Sequence, residues 1–155
     1  MNITHSKIAR KMMTKEGFFD CFIIGEGKLV IECAKRLLEN GCIIHGIISN
    51  DIEVRNWSTE QTIDTIELDS DNRNTESFLN AHSFDYLFNI VNRQALTENI
   101  LSLPKCATIN YFEAPLPRHS GIHSAALAIQ KQETQFGITW HEAHEKMDSG
   151  DIFKQ

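Results

Sequence analysis

With 155 residues, of which 41% are hydrophobic, the chain can fill one packed domain and leaves no room for a second of ordinary size. Fifteen Lys and Arg against 21 Asp and Glu give a net charge of −6. That balance provides no basic stripe to neutralise phosphates, which argues against nucleic-acid binding and against a transfer-RNA substrate. The longest apolar runs, Phe18–Ile24 and Cys42–Ile48, are interrupted by Asp20, His45 and Gly46 and fall far short of the roughly 20 residues of a membrane span. A soluble protein without a membrane role is expected. Cys21, Cys33, Cys42 and Cys106 form no Cys-x-x-Cys pair, so free thiols in a reducing, cytoplasmic compartment are expected.

Residues 1–16 read as an N-terminal extension, loosely ordered or helical, because Lys7, Arg10, Lys11 and Lys15 stand there without the apolar core of a secretory signal. From residue 17 to 155 the pattern is that of one α/β domain. Phe18–Ile24 is a buried strand closed by Gly25-Glu26-Gly27, and Leu29–Leu38 repeats apolar residues at helical spacing until Asn40-Gly41. Cys42–Ile48 is a second strand, a helical or irregular piece holds Trp57, and Ile63–Leu68 is a third strand. Asn74–Ala81 suits a short helix, Tyr86–Val91 a fourth strand, Ala95–Leu101 a helix and Ala107–Tyr111 a fifth strand. His123–Lys131 is helical and Gly137–His141 a further strand. Alternation of this kind predicts a Rossmann-like, doubly wound, mostly parallel sheet, since each parallel crossover needs a connection of a dozen or so residues. Ligands in such sheets bind beyond the carboxyl ends of the strands, here the loops starting at Asn92, Asn110 and Glu142.

Gly25-x-Gly27 after the first strand invites a dinucleotide reading, with Asp51 as the acid for a ribose. The third glycine is missing, and Val30 stands in its place. A lone Gly-x-Gly is a weak signal, and a tight turn in a doubly wound fold is the reading we favour.

The stretch Asn110-Tyr111-Phe112-Glu113-Ala114-Pro115-Leu116-Pro117-Arg118-His119-Ser120-Gly121 is the most informative of the chain, with Gly137-x-Thr139-x-His141 and Asp148-x-Gly150-x-Ile152 following in order. It resembles the active-site region of the folate-dependent formyltransferases, the family of the methionyl-tRNA and glycinamide ribonucleotide formyltransferases. The wording around Tyr111–Gly121 and Trp140–Gln155 resembles most the formyltransferase-like domains of peptide-synthetase assembly lines. The resemblance implies transfer of a formyl group from 10-formyltetrahydrofolate to an amine of a small or carrier-bound substrate. It assigns Asn110 and Asp148 to catalysis, and Leu116, Pro117 and Gly121 to the substrate loop. Arg93, Gln94 and Leu96, with His144, Glu145 and Met147, are implied to hold the pteridine, largely through main-chain groups. A metal is not implied, and His141, Glu142, His144 and Glu145 match no common zinc spacing.

When an amine attacks a formyl carbon, the carbonyl oxygen gathers negative charge and the nitrogen must lose a proton, so the site needs aimed donors and a base. Asn110 would donate, and Asp148 would orient and accept. The family places its second donor, a His, where this chain has Phe112. Phe112 can neither donate nor titrate, which predicts an enzyme slowed by about a hundred- to a thousandfold. His119 or His123, nearby in the chain, could replace the imidazole. Gln132 stands where the family has a turn glycine and must adopt positive φ or reshape the turn. The chain stops at Gln155, where relatives continue with helices and often a β-barrel, which predicts a fold truncated at its C-terminus or a fragment of a larger enzyme. The rival reading is a non-catalytic module that binds a folate-like ligand or a protein, possible as an oligomer or within a larger assembly. Asp64, Glu67, Asp69 and Asp71 are expected to form a solvated rim, and Trp57 and Trp140 to pack.

Overall fold

The computed structural model describes residues 18–118, 123–145 and 150–155. Seven strands form one sheet: β1 (Asp20–Gly25), β2 (Ile43–Ile48), β3 (Asp64–Ile66), β4 (Tyr86–Ile90), β5 (Ala107–Phe112), β6 (Thr139–Glu142) and β7 (Ile152–Lys154). Among the described residues five helices accompany them: α1 (Lys28–Glu39), α2 (Ile52–Glu60), α3 (Arg73–Leu79), α4 (Glu98–Leu101) and α5 (Ser124–Gln130). The strand order is β3-β2-β1-β4-β5-β6-β7. Pairs from β3 to β5 are parallel, while β6 lies antiparallel to β5 and β7 antiparallel to β6. The doubly wound, mostly parallel sheet expected from the alternation is the fold of this chain.

Alternation along β1 sorts the core into two layers. Cys21 and Ile23 face α1 and α2 with Val30, Ala34, Val54 and Ile109, whereas Phe22 and Ile24 face α3 and α4 with Leu79, Leu87 and Ile100. Burial pushes the thiols of Cys21, Cys33 and Cys42 up from the ordinary range, so they are protonated packing residues, and all four cysteines are free. Trp140 packs edge-on against Tyr111 at 5.2 Å between ring centroids, and Trp57 lies against the first layer, as expected for both.

Some boundaries differ from the sequence pattern for local reasons. The fourth helix begins at Glu98 rather than Ala95, because Thr97 accepts from the Ile100 N–H as its cap and Asn92 ties down the main chain of Gln94. β3 keeps three residues, and Asn50 Oδ1 takes the Leu68 N–H outside the ladder. β7 follows no strong pattern and forms by pairing with β6. Asp69 is more than a solvated acid: its carboxylate accepts from the Asn74 and Thr75 N–H groups and from the Thr75 hydroxyl at the start of α3. Gln132 does adopt positive φ, 54°, in the turn after α5. Among the described residues no helix is long and apolar enough to cross a membrane.

Candidate functional site

Cross-strand register brings the site together. Asn89 of β4 pairs with Asn110 of β5, and Asn110 pairs with His141 of β6. Register partners on one face lie side by side, so three polar side chains cross three strands in a row. The Asn89 Nδ2 donates to Asn110 Oδ1 at 2.7 Å, and Asn110 Nδ2 donates to His141 Nε2 at 3.0 Å. His141 is only 3% exposed, and its Nδ1 lies 2.9 Å from the Glu142 carbonyl, which can only accept. The imidazole therefore carries its proton on Nδ1. Asn92 extends the row by donating to Asn89 Oδ1 at 3.0 Å.

These groups line a cavity of about 210 Å³ with Arg93, Gln94, Ala95, Leu96, Leu101, Ala143, His144 and Glu145. The loop after β4 and the loop after β6, assigned by sequence to the pteridine, thus meet Asn110 in one place. The members of those loops are not equivalent. The Gln94 N–H donates to Asn92 Oδ1 and its carbonyl accepts from Asn92 Nδ2, so its main chain is engaged. The main-chain groups of Arg93 and Leu96 have no hydrogen-bond partner among the described residues. His144 and Glu145 are exposed at the rim, with His144 3.8 Å from the Glu142 carboxylate. Val91 opens the first loop with φ 52°, a conformation that costs a β-branched residue about 1–3 kcal/mol.

Phe112 ends β5 on the same face as Asn110, two residues on, with its ring 6.4 Å from that of His141 at an angle of 75°. The position that holds a His in the resembling family thus faces the row of amides. Beyond it, Thr139 of β6 fixes the Leu116-Pro117 loop: its hydroxyl accepts from the Leu116 N–H at 3.0 Å and donates to the Ala114 carbonyl at 2.7 Å. Leu116 is buried and Pro117 exposed. His123 is exposed at the start of α5 and belongs to neither the cavity nor the row. Gly121, His119, Met147 and Asp148 lie outside the described residues. Gly150 beside them is described, and a Cβ there would lie 1.7 Å from the Glu142 carbonyl oxygen, so only glycine lets the returning chain pass so close to β6.

A larger cavity, about 800 Å³, lies on the other face between α1 and β4–β7, lined by Phe19, Leu29, Phe88, Ile109, Trp140 and Phe153. Its polar neighbours Glu32, Arg36, Asn40 and Lys154 are all exposed, so no polar groups converge inside it. The converging polar groups line the smaller cavity instead.

Asn89 and Asn92 were missed by motif reasoning. The signal available is Asn89 itself, a polar residue in an otherwise apolar strand, on the same face of β4 as Leu87 and in register with Asn110. His141, the last residue of the Gly137-x-Thr139-x-His141 motif, is buried and closes the row through both ring nitrogens.

The family model described as "Formyl transferase" matches residues 40–155, most of the chain. A bifunctional polymyxin resistance protein ArnA from Wigglesworthia glossinidia brevipalpis is 31% identical over 71 residues, 46% of this chain and 11% of that protein. A methionyl-tRNA formyltransferase from Mycoplasmopsis pulmonis is 32% identical over 71 residues, 46% of this chain and 25% of that protein. The match thus spans a quarter or less of these curated relatives. Among solved structures, phosphoribosylglycinamide formyltransferase from Anaplasma phagocytophilum superposes with a TM-score of 0.75 at 21% identity, covering 86% of this chain and 68% of that one. A formyltetrahydrofolate deformylase from Pseudomonas syringae gives 0.76 at 18% identity, covering 93% and 51%. The likeness to these structures is one of fold, and the matched sequence carries the rest: the chain belongs to the formyl transferase family.

Proposed function

We propose that this chain transfers a formyl group from 10-formyltetrahydrofolate to an amine of a small or carrier-bound substrate in the cytoplasm, at a rate limited by Phe112. The observation that carries the reading is that Asn110 shares one cavity with the uncommitted main-chain groups of Arg93 and Leu96. A carboxamide has two N–H donors, and Asn110 uses one on His141; the second has no partner among the described residues. The uncommitted backbone suits the edge of a flat heterocycle, which leaves the Asn110 N–H for the formyl oxygen. The cavity is smaller than the roughly 300–1,000 Å³ of a site that encloses a drug-sized ligand, so it suits the pteridine end rather than the whole folate.

When bound, the folate supplies the formyl group. Asn110 donates its spare N–H to the formyl oxygen as the amine attacks and charge collects there. Arg93 and Leu96 hold the ring through their main chains, and the Leu116-Pro117 loop borders the amine. Asp148 would take the proton released by the amine, and N10 of the folate would gain one as its bond to the formyl carbon breaks, so that tetrahydrofolate leaves; the Asp148 role rests on the resemblance. Phe112 supplies neither a second donor nor a proton carrier, but faces the row where an imidazole would.

The test begins with thermal unfolding in the presence of 5-formyltetrahydrofolate, a stable stand-in for the donor, since ligand at about a hundred times its dissociation constant adds about 2.7 kcal/mol. Formyl transfer to a panel of amines follows, for the natural chain and for Phe112→His. A saturable shift and slow turnover, raised on the order of a hundredfold by Phe112→His, are expected. Absence of turnover even after Phe112→His overturns the catalytic reading. Phe112 itself favours the rival, a non-catalytic module that binds folate or a protein, for which a saturable shift without turnover is the signature.

A further inference from the structure

The amides across β4, β5 and β6 form a chain in which every orientation is dictated by its two ends. At one end the Gln94 N–H and carbonyl fix Asn92, because a backbone N–H can only donate and a carbonyl can only accept. The Asn92 Nδ2 thereby faces Asn89, whose nearer atom must be Oδ1. Its Nδ2 then faces Asn110, whose nearer atom must again be Oδ1. The Asn110 Nδ2 is left to face His141, whose Nε2 must be bare. At the other end the Glu142 carbonyl independently requires the proton of His141 to sit on Nδ1. Two backbone anchors, one in the loop after β4 and one at the end of β6, give the same direction, so no amide in the chain can turn alone.

We propose that Asn89 and Asn92 are positioning residues that set which way round the Asn110 carboxamide stands, and that this orientation presents its spare N–H, rather than its oxygen, to the ligand. Were Asn110 reversed, an oxygen would replace the donor at one edge, and a formyl oxygen there would meet repulsion. The strained φ of Val91 fits this role, because the bend at Val91 returns Asn92 to within 3.0 Å of Asn89. Gln94 adds a tether from its side chain, with Nε2 donating to the Asp69 carbonyl at 2.8 Å and to Asn72 Oδ1 at 3.0 Å, so the backbone anchor of Asn92 is itself held. The consequence for formyl transfer rests on the function proposed above; the orientation itself does not.

The experiment reads the far end of the chain. In ¹⁵N-labelled protein, long-range proton–nitrogen correlations report which ring nitrogen of His141 is protonated, with His141→Gln identifying its signals. The unaltered protein is expected to show a bare Nε2. Asn89→Asp replaces the donor facing Asn110 by an acceptor, so Asn110 turns, its oxygen faces His141, and Nε2 gains a proton. Asn92→Asp, two links from Asn110, is expected to turn Asn89 and Asn110 in sequence and give the same signature, which keeps the test open if Asn89→Asp does not fold. Formyl transfer by either variant should fall on the order of a hundredfold in kcat with KM little changed. A protonated Nε2 in the unaltered protein, or folded variants that leave the His141 signals unmoved, overturns the proposal. Coupled His141 signals in a protein without turnover keep the orientation chain and discard the reaction.

Discussion

The carboxyl ends of β1 and β2 and those of β4 and β5 occupy comparable places along one edge of the sheet, yet the first pair is closed by its own hydrogen bonds and the second is not. At the first, Asp51 accepts the Gly27 N–H on one oxygen, at 3.0 Å, and the Glu53 N–H on the other, at 2.9 Å, capping α2. A Cβ on Gly25 would lie 1.7 Å from the Ile90 carbonyl oxygen, so that glycine serves the approach of β1 to β4. At the second, Asn110 keeps an N–H to spare and the main chains of Arg93 and Leu96 stay uncommitted among the described residues. Both ends carry polar residues of the kind that bind ligands. What separates them is whether the fold has already consumed the hydrogen bonds.

The largest effect expected from breaking this contrast lies at Asn110. Asn110→Ala removes the donor and should lower formyl transfer by about a hundred- to a thousandfold, while Asp51→Ala leaves the rate per folded molecule unchanged. Steady-state assays on both variants check this; equal losses would erase the distinction between the two ends. Gly25→Ala comes next and acts on stability alone. The added methyl must drive β1 from β4 and should cost about 3 kcal/mol, read as a lower urea midpoint, and an unchanged midpoint would mean the strands separate freely.

How much of this contrast the sequence carried depends on the residue. The first six strands, the glycine turn and the Asn110 to Ile152 signature were legible because each is set by local pattern or by spacing, whereas β7 was not. Asp51 looked like a ribose ligand because an acid after the second strand is consistent with either a ligand or a helix cap, and only the position of the Gly27 N–H decides. Asn89 and Asn92 were illegible for a different reason. Their meaning lies in register between β4, β5 and β6, and β6 is separated from β5 by a loop and a helix, so nothing local to Asn89 reveals that His141 stands two strands away.

A milder effect is expected from Asp51→Ala itself. Loss of the cap on α2 and of the bond to Gly27 should destabilise the chain by about 1 kcal/mol, visible in the thermal midpoint. The shift produced by 5-formyltetrahydrofolate should be the same size in this variant as in the natural chain. If the shift shrinks with Asp51→Ala, the closed end takes part in binding after all.

The smallest effect concerns the support under the open end and is resolved by pH. The Thr75 hydroxyl first, and then the Asn74 and Thr75 N–H groups, hold the Asp69 carboxyl below the ordinary carboxylate range, against burial, which works the other way. A carboxyl whose pKa is lowered by folding stabilises the folded state above its unfolded value, about 3.9, and loses that contribution as pH falls towards its folded value. Asp69→Asn removes the charge at every pH, so its midpoint should lie furthest below that of the natural chain near pH 7. The gap should narrow below about pH 4, where the unfolded carboxyl takes up its proton and the natural residue gains less from remaining charged. The Asp69 carbonyl receives the Gln94 side chain, so the same substitution should loosen the anchor of Asn92 at neutral pH and do so less in acid. Paired melting curves at pH 7 and pH 3 decide the matter: a gap that widens in acid would place the support of the open end elsewhere than in the Asp69 carboxylate.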